Sequence, residues 1–318
     1  MKPFKKFNAR HFIQEAIGFA GLGAVFVCLA SWAQATVPGD ALPAGTPHAH
    51  APQTATFHYL NIDTGRVEGL FTKQPVYQRA IMLAKPNPDS DTALLFFRGW
   101  PGIWRYSEKT DVTRTSPRGQ LMRDVYAKEG ITFVSVDCPT DQWGAEIRPT
   151  AFISGPPPSC LDNYRQSQQH ADDVRKVIQL LRKEHGIRHF YVQGHSFGTI
   201  SSRWLAKHLD KEIDGVIHSA SMNGPNPRAG YSVVGFDYAS LSAPQLYIHH
   251  ENDACTSTPY AAVKAYAGNN LVTVRGGIAQ GDPCGAGHLH SFEGRDGEVA
   301  QAIADWILHR KLEPVIGQ

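Results

Sequence analysis

The run Ala-Leu-Leu-Phe-Phe at residues 93–97 constrains this chain more than any other feature. Apolar side chains at every position of a strand leave it no face for water, and such strands belong to parallel sheets covered by helices on both sides. The surrounding pattern agrees. Short strand-like segments at 56–62, 77–84, 131–136, 189–193, 215–219 and 245–249 alternate with helical patterns at 120–129, 163–184, 199–209 and 298–312. In the longest of these, Val174, Val177, Ile178, Leu180 and Leu181 form one stripe, and Gly186 follows as a stop signal. The expected class is therefore α/β, with a mostly parallel twisted sheet between helical layers. There is no internal repeat and no long linker, so residues 55–318 read as a single domain. The stretch 222–242 is too short to hold a separate lid domain.

The first 54 residues follow different rules. Lys2, Lys5, Lys6 and Arg10 precede an apolar run at 16–30, and Ala33-Gln34-Ala35 supplies small residues at a cleavage spacing. This is the pattern of a secretory signal peptide over residues 1–35. The alternative is a retained anchor, for which the apolar run is near the short limit. Cys28 follows the bulky Val27, which does not suit a lipidation site. Residues 36–54, rich in Pro, Ala and Gly, read as a flexible leader, and His48 and His50 within it as incidental. Export implies a periplasmic or secreted protein with no stable membrane insertion after cleavage.

Removing residues 1–35 changes the charge reading. The whole chain has 31 Lys and Arg against 29 Asp and Glu, and the remainder 27 against 28. With no clustered basic surface, nucleic acid is not an expected partner. Four cysteines remain, Cys138, Cys160, Cys255 and Cys284, an even number for a compartment in which disulfides persist. No Cys-x-x-Cys unit points to zinc or redox chemistry, and three pairings are open.

One segment carries chemistry. The strand-like 189–193 runs into Gly194-His195-Ser196-Phe197-Gly198, and a helical pattern follows. Gly-x-Ser-x-Gly between strand and helix puts the serine on a strained turn, where side chains at the flanking glycines collide with neighbours. A serine hydroxyl needs a base to take its proton and a carboxylate to orient that base. Asp253 lies just past the 245–249 strand; Glu251 is its closer rival, and Asp282 has no strand leading into it. Two histidines, His288 and His290, precede the last helix, and the base is one of them.

The chain order Ser196, Asp253, His290, the turn Gly99-Trp100-Pro101-Gly102 and the tail Ala302-Ile-Ala-Asp-Trp-Ile307 resemble the α/β-hydrolase superfamily, in particular its small secreted bacterial members. The resemblance covers about residues 75–312. It implies the α/β-hydrolase fold without a large cap, and a base at His290, in His290-Ser291-Phe292, with His288 as the alternative. It also implies an oxyanion hole made by the backbone N–H groups of Phe197 and Trp100. Members commonly have His-Gly before this turn, where this chain has Arg98-Gly99. If the triad forms, the loops of Asp253 and His290 meet, which pairs Cys255 with Cys284 and leaves Cys138 for Cys160. Trp100 and Trp104 either pack the loop or line an apolar pocket.

The implied activity is hydrolysis of a small-molecule ester or other acyl bond through an acyl-enzyme, of the carboxylic ester hydrolase type, with no cofactor and no metal. The same triad serves peptidases, thioesterases and cofactor-free peroxidases. Two other classes fit less well: a metal-dependent hydrolase using His249, His250, Glu251, His288 and His290, which lacks a recognised ligand spacing, and a non-catalytic binding protein on the same scaffold. Oligomeric state is not readable from the sequence.

Overall fold

The alternation of buried strands and helical stripes is realised as a nine-stranded sheet with helices against both faces. The computed structural model describes residues 56–110, 117–144, 158–223 and 236–317, all within one unit, Gln53–Gln318. The expected signal peptide and leader, with Cys28, His48 and His50, lie outside the described residues.

The chain begins with two antiparallel strands, β1 (Phe57–Glu68) and β2 (Gln74–Leu83), and then enters β3 (Thr92–Phe97). Helix α1 (Pro117–Lys128) leads to β4 (Ile131–Val136). A two-stranded ribbon, β5 (Trp143–Gly144) and β6 (Ser159–Cys160), precedes the short α2 (Asp162–Arg165) and the long α3 (Gln168–His185). Then come β7 (His189–His195), α4 (Thr199–Leu209), β8 (Gly215–Ser219), β9 (Gln245–His250), α5 (Tyr260–Ala267), β10 (Leu271–Val274), α6 (Asp296–His309) and β11 (Val315–Ile316). Their order across the sheet is β1-β2-β4-β3-β7-β8-β9-β10-β11, parallel from β4 onwards. The described residues between β8 and β9, 220–223 and 236–244, form no large cap.

Period-two alternation divides the core between the two faces. Ala93, Leu95 and Phe97 join Val174, Val177 and Leu181 of α3 and Leu205 of α4 in one cluster. Leu94, between them, joins Ile217, Ile248 and the α6 residues Val299, Ile303 and Ile307 in the other. The continuous apolar run of β3 thus serves two cores. After β3 the chain steps outward to β4 and then crosses to β7 on the other side of β3. The reversal opens a crevice at the carboxyl ends of β3 and β7, where ligands bind in sheets of this kind.

Element boundaries differ from expectation in several places, the first strand, for example, running to Glu68 where 62 was expected. The helix expected over 163–184 is two helices, because the Ser167 hydroxyl donates to Tyr164 O at 2.7 Å and accepts from His170 N at 3.2 Å, closing α2 and capping α3. The last helix stops at His309, three residues early, where Arg310 turns to φ +53°. Helix α5 and strand β10, eight and four residues long, are too short to show periodicity in the sequence.

At the turn after β7, Ser196 has φ +53°, a left-handed conformation that L side chains rarely adopt. Its flanking glycines are required sterically. A Cβ on Gly198 would overlap Phe97 O at the end of β3, and one on Gly194 would lie 2.6 Å from Ser202 Oγ. The close approach of β7, α4 and β3 therefore depends on hydrogen at both positions. Gly198→Ala is expected to lower the unfolding free energy by about 3 kcal/mol through overpacking against backbone that has nowhere to move, measured by urea denaturation.

Candidate active site

The turn places Ser196 on the wall of a cavity of about 720 Å³ at the carboxyl ends of the strands. Ser196 Oγ lies 2.9 Å from His290 Nε2, and His290 Nδ1 lies 2.9 Å from Asp253 Oδ2. The carboxylate receives the Nδ1–H and so leaves Nε2 as an acceptor for the serine hydroxyl. His290 is contributed by a single 3-10 turn, Leu289–Ser291, and Phe292 behind it packs edge-on against the His195 ring at 5.9 Å.

Asp253 is held by more than His290. Cys255 N–H donates to its Oδ1 at 2.9 Å, and the Thr258 hydroxyl donates to its Oδ2 at 2.8 Å. His249 Nε2 stands 3.3 Å from the same Oδ2 and 2.9 Å from Thr258 O. Burial by itself pushes the Asp253 carboxyl up, but the hydrogen bonds and charge of His249 and His290 outweigh it and hold the group well below the ordinary carboxylate range. Of these partners, Thr258 had no sequence signal, since a hydroxyl in a loop matches no pattern. His249 was visible only as a member of the metal-ligand alternative.

The rival residues are elsewhere. Glu251 accepts from Arg275 Nε at 3.0 Å in a partly exposed ion pair. Asp282 turns back on Cys284 N at 2.9 Å. His288 is buried, but it is not among the residues lining the cavity. His250 Nε2 is bound to Gly276 O at 2.6 Å, whereas His249 and His290 both face Asp253 Oδ2. Among the described residues no group of three or more His, Cys, Asp or Glu side chains is placed to hold a metal ion.

The two residues expected to donate to an oxyanion, Phe197 and Trp100, are packed against each other. Phe197 N–H lies in the first turn of the helical segment leading into α4, where N–H groups lack intrahelical acceptors. The Trp100 ring meets the Phe197 ring at 5.5 Å, and a Cβ on Gly99 would stand 3.3 Å from Ser196 Cβ. Arg165, fully buried, donates to Gly102 O at 3.2 Å and Ser201 Oγ at 2.7 Å while its guanidinium stacks over Phe197 at 4.6 Å. It ties the Trp100 loop to α4. Asp137, at the end of β4, accepts from Trp104 N at 2.7 Å and Tyr106 N at 2.8 Å and fixes the far side of that loop. The sequence reading assigned neither residue a role. Arg98 spans the loop from within, donating to Ile103 O at 3.2 Å with its guanidinium 4.0 Å over the Trp104 ring. Trp100 and Trp104 both pack this loop and line the cavity.

Cys255 is joined to Cys284 and Cys138 to Cys160. The first bridge ties the Asp253 loop to the segment leading into His290. The second closes the chain between β4 and α2, and Cys160 N–H reaches Pro101 O at 3.0 Å.

A family profile described as serine aminopeptidase, S33, matches residues 162–280, a span that includes Ser196 and Asp253 and ends before His290. The chain has the α/β-hydrolase fold. No curated protein matches it. Among solved structures, this chain is similar to Est1E from Butyrivibrio proteoclasticus, at 13% identity and TM-score 0.48, over 79% of this chain and 98% of that one. It is also similar to XC6422 from Xanthomonas campestris, described as an a/b serine hydrolase without lid, at 16% identity and TM-score 0.43, over 79% and 95%. A serine hydrolase homologue from Coxiella burnetii matches at 14% identity and TM-score 0.45, over 78% and 95%.

Two outcomes are expected. Because the folded Asp253 carboxyl titrates below its ordinary value of 3.8, its stabilisation is complete above that value and is lost only as pH falls through the lowered one. Asp253→Asn should therefore cost most stability near neutral pH, and the gap to wild type should narrow below about pH 4, as followed by urea denaturation across pH. Peptide mapping without reduction should recover Cys255 joined to Cys284; a Cys138–Cys255 peptide would contradict the structure.

Proposed function

We propose that this α/β hydrolase is an exported serine hydrolase that cleaves a small-molecule ester through an acyl-enzyme. The observation that carries this reading is the continuous hydrogen-bonded chain from Ser196 Oγ through His290 to Asp253, with both links at 2.9 Å, opening on a cavity. Ser196 Oγ attacks the carbonyl carbon while His290 Nε2 takes its proton, and Asp253 keeps the ring in the tautomer this requires and offsets the imidazolium charge. The oxyanion develops toward the N–H groups of Phe197 and Trp100; one such donor contributes about 3–4 kcal/mol to the transition state. His290 then returns the proton to the departing alcohol, and water repeats the sequence on the acyl-enzyme to release the acid. The two disulfides support export, because such bonds persist in oxidising compartments. No helix among the described residues is long and apolar enough to cross a membrane.

A peptidase is the second reading, favoured by the description of the matched family profile. Chromogenic esters of graded chain length, assayed beside aminoacyl anilides, separate the two. Wild type should react covalently with a fluorophosphonate probe, and Ser196→Ala should lose both the label and roughly 10⁴-fold or more of kcat. Labelling that persists in that variant would exclude Ser196 as the nucleophile.

A further inference from the structure

The cavity that contains Ser196 is lined by two guanidinium groups, Arg98 and Arg123, and by no Asp, Glu or Lys among its described residues. Arg98 is the more informative. It directly precedes Gly99, which packs against Ser196. One nitrogen donates to Ile103 O, and the guanidinium lies flat on Trp104. Its remaining N–H groups have no acceptor among the described residues, and no carboxylate there stands within ion-pairing distance. Asp137, one of the negative charges that Arg98 feels, already accepts the backbone N–H groups of Trp104, Tyr106 and Cys138.

A cation placed mostly out of water without a directly paired carboxylate is costly, and a planar guanidinium is shaped to receive a carboxylate through two parallel N–H bonds. Much of the remaining wall is apolar, including Phe57, Leu83, Phe96, Met122, Phe133 and Val299. This combination of an apolar chamber, a guanidinium with no carboxylate in ion-pairing distance among the described residues, and a serine on the same wall matches one kind of molecule. Resting on the serine hydrolase reading above, we propose that the site selects half-esters of dicarboxylic acids, whose free carboxylate is received by Arg98 while the apolar chain or ring fills the cavity. The bond from the acyl carbon to the alcohol oxygen breaks, water supplies the hydroxyl of the new acid and the proton of the alcohol, and the product is the diacid. The same guanidinium repels an ammonium group, so a free amino terminus is disfavoured at this position.

The test compares para-nitrophenyl half-esters of adipic, suberic and terephthalic acids with neutral para-nitrophenyl esters of matched length or ring. Wild type is expected to favour the best half-ester in kcat/KM by about tenfold or more, a preference that falls as salt screens the charge. Arg98→Gln should lower the ratio of charged to neutral kcat/KM about tenfold, and Arg98→Lys, which keeps the charge but loses the planar fork, should lower it less. A wild-type ratio of one or below, or the same ratio in Arg98→Gln, overturns the proposal. Where neutral esters are cleaved without any charge preference, the hydrolase reading stands and this one fails. Calorimetric binding of the adipic half-ester to Ser196→Ala tests recognition without turnover: binding about tenfold tighter than the neutral ester supports it, and equal binding overturns it, whether or not any ester is hydrolysed and whether or not Arg98→Gln folds.

Discussion

The contact on which the rest of this structure depends is the one between the Ser196 turn and the end of β3. Gly198 lies against Phe97 O so closely that no side chain fits between them, and Gly99 lies against Ser196. This single approach sets the position of the Ser196 hydroxyl and brings the Trp100 loop alongside Phe197. It also holds Ser196 at φ +53°, a strain that the surrounding packing has to offset. The packing is equal to it: Phe197 and Ile200 behind the turn are buried, Arg165 clamps the loop to α4, and the parallel strands on either side are covered on both faces.

The other half of the site is built from loops, and its order comes from covalent and polar ties in place of close packing. Asp253 and His290 stand 37 residues apart in the chain, on segments with little regular structure around them. The Cys255–Cys284 bridge limits how far these segments can separate, and the cluster of His249, Thr258 and Cys255 N–H around the Asp253 carboxylate fixes its orientation. Asp253 is fully buried and ionised, which is tolerable only because its oxygens are surrounded by donors. A buried carboxylate so arranged does two things at once, since the hydrogen bonds that hold it in place also set the tautomer of His290.

Much of this was legible in the sequence, for identifiable reasons. The apolar run at 93–97 has no solvent face, so it had to lie between two helical layers. Gly194 and Gly198 flank a serine between a strand and a helix, a pattern with a steric meaning that the Phe97 contact makes concrete. The elements that escaped notice were those without a period: β10 and α5 are too short to show one, and the break between α2 and α3 depends on a single hydroxyl at Ser167. The supporting residues Thr258, Asp137 and Arg165 escaped for a related reason. Each acts through a backbone group or side chain distant in sequence, and nothing in its local surroundings marks it.

By itself, then, the sequence determined the layered α/β class, the strained turn at Ser196 and a short list of candidate acids and bases, because local sterics and hydrophobic periodicity are written residue by residue. Only the tertiary structure decided that Asp253 and His290, and not Glu251 and His288, lie in line with Ser196, since that depends on which loop ends converge at one edge of the sheet. It alone placed the Arg98 guanidinium on the wall of the cavity with no carboxylate in ion-pairing distance among the described residues. Charge balance within a cavity is a property of three-dimensional neighbourhood, and a near-neutral composition conceals it.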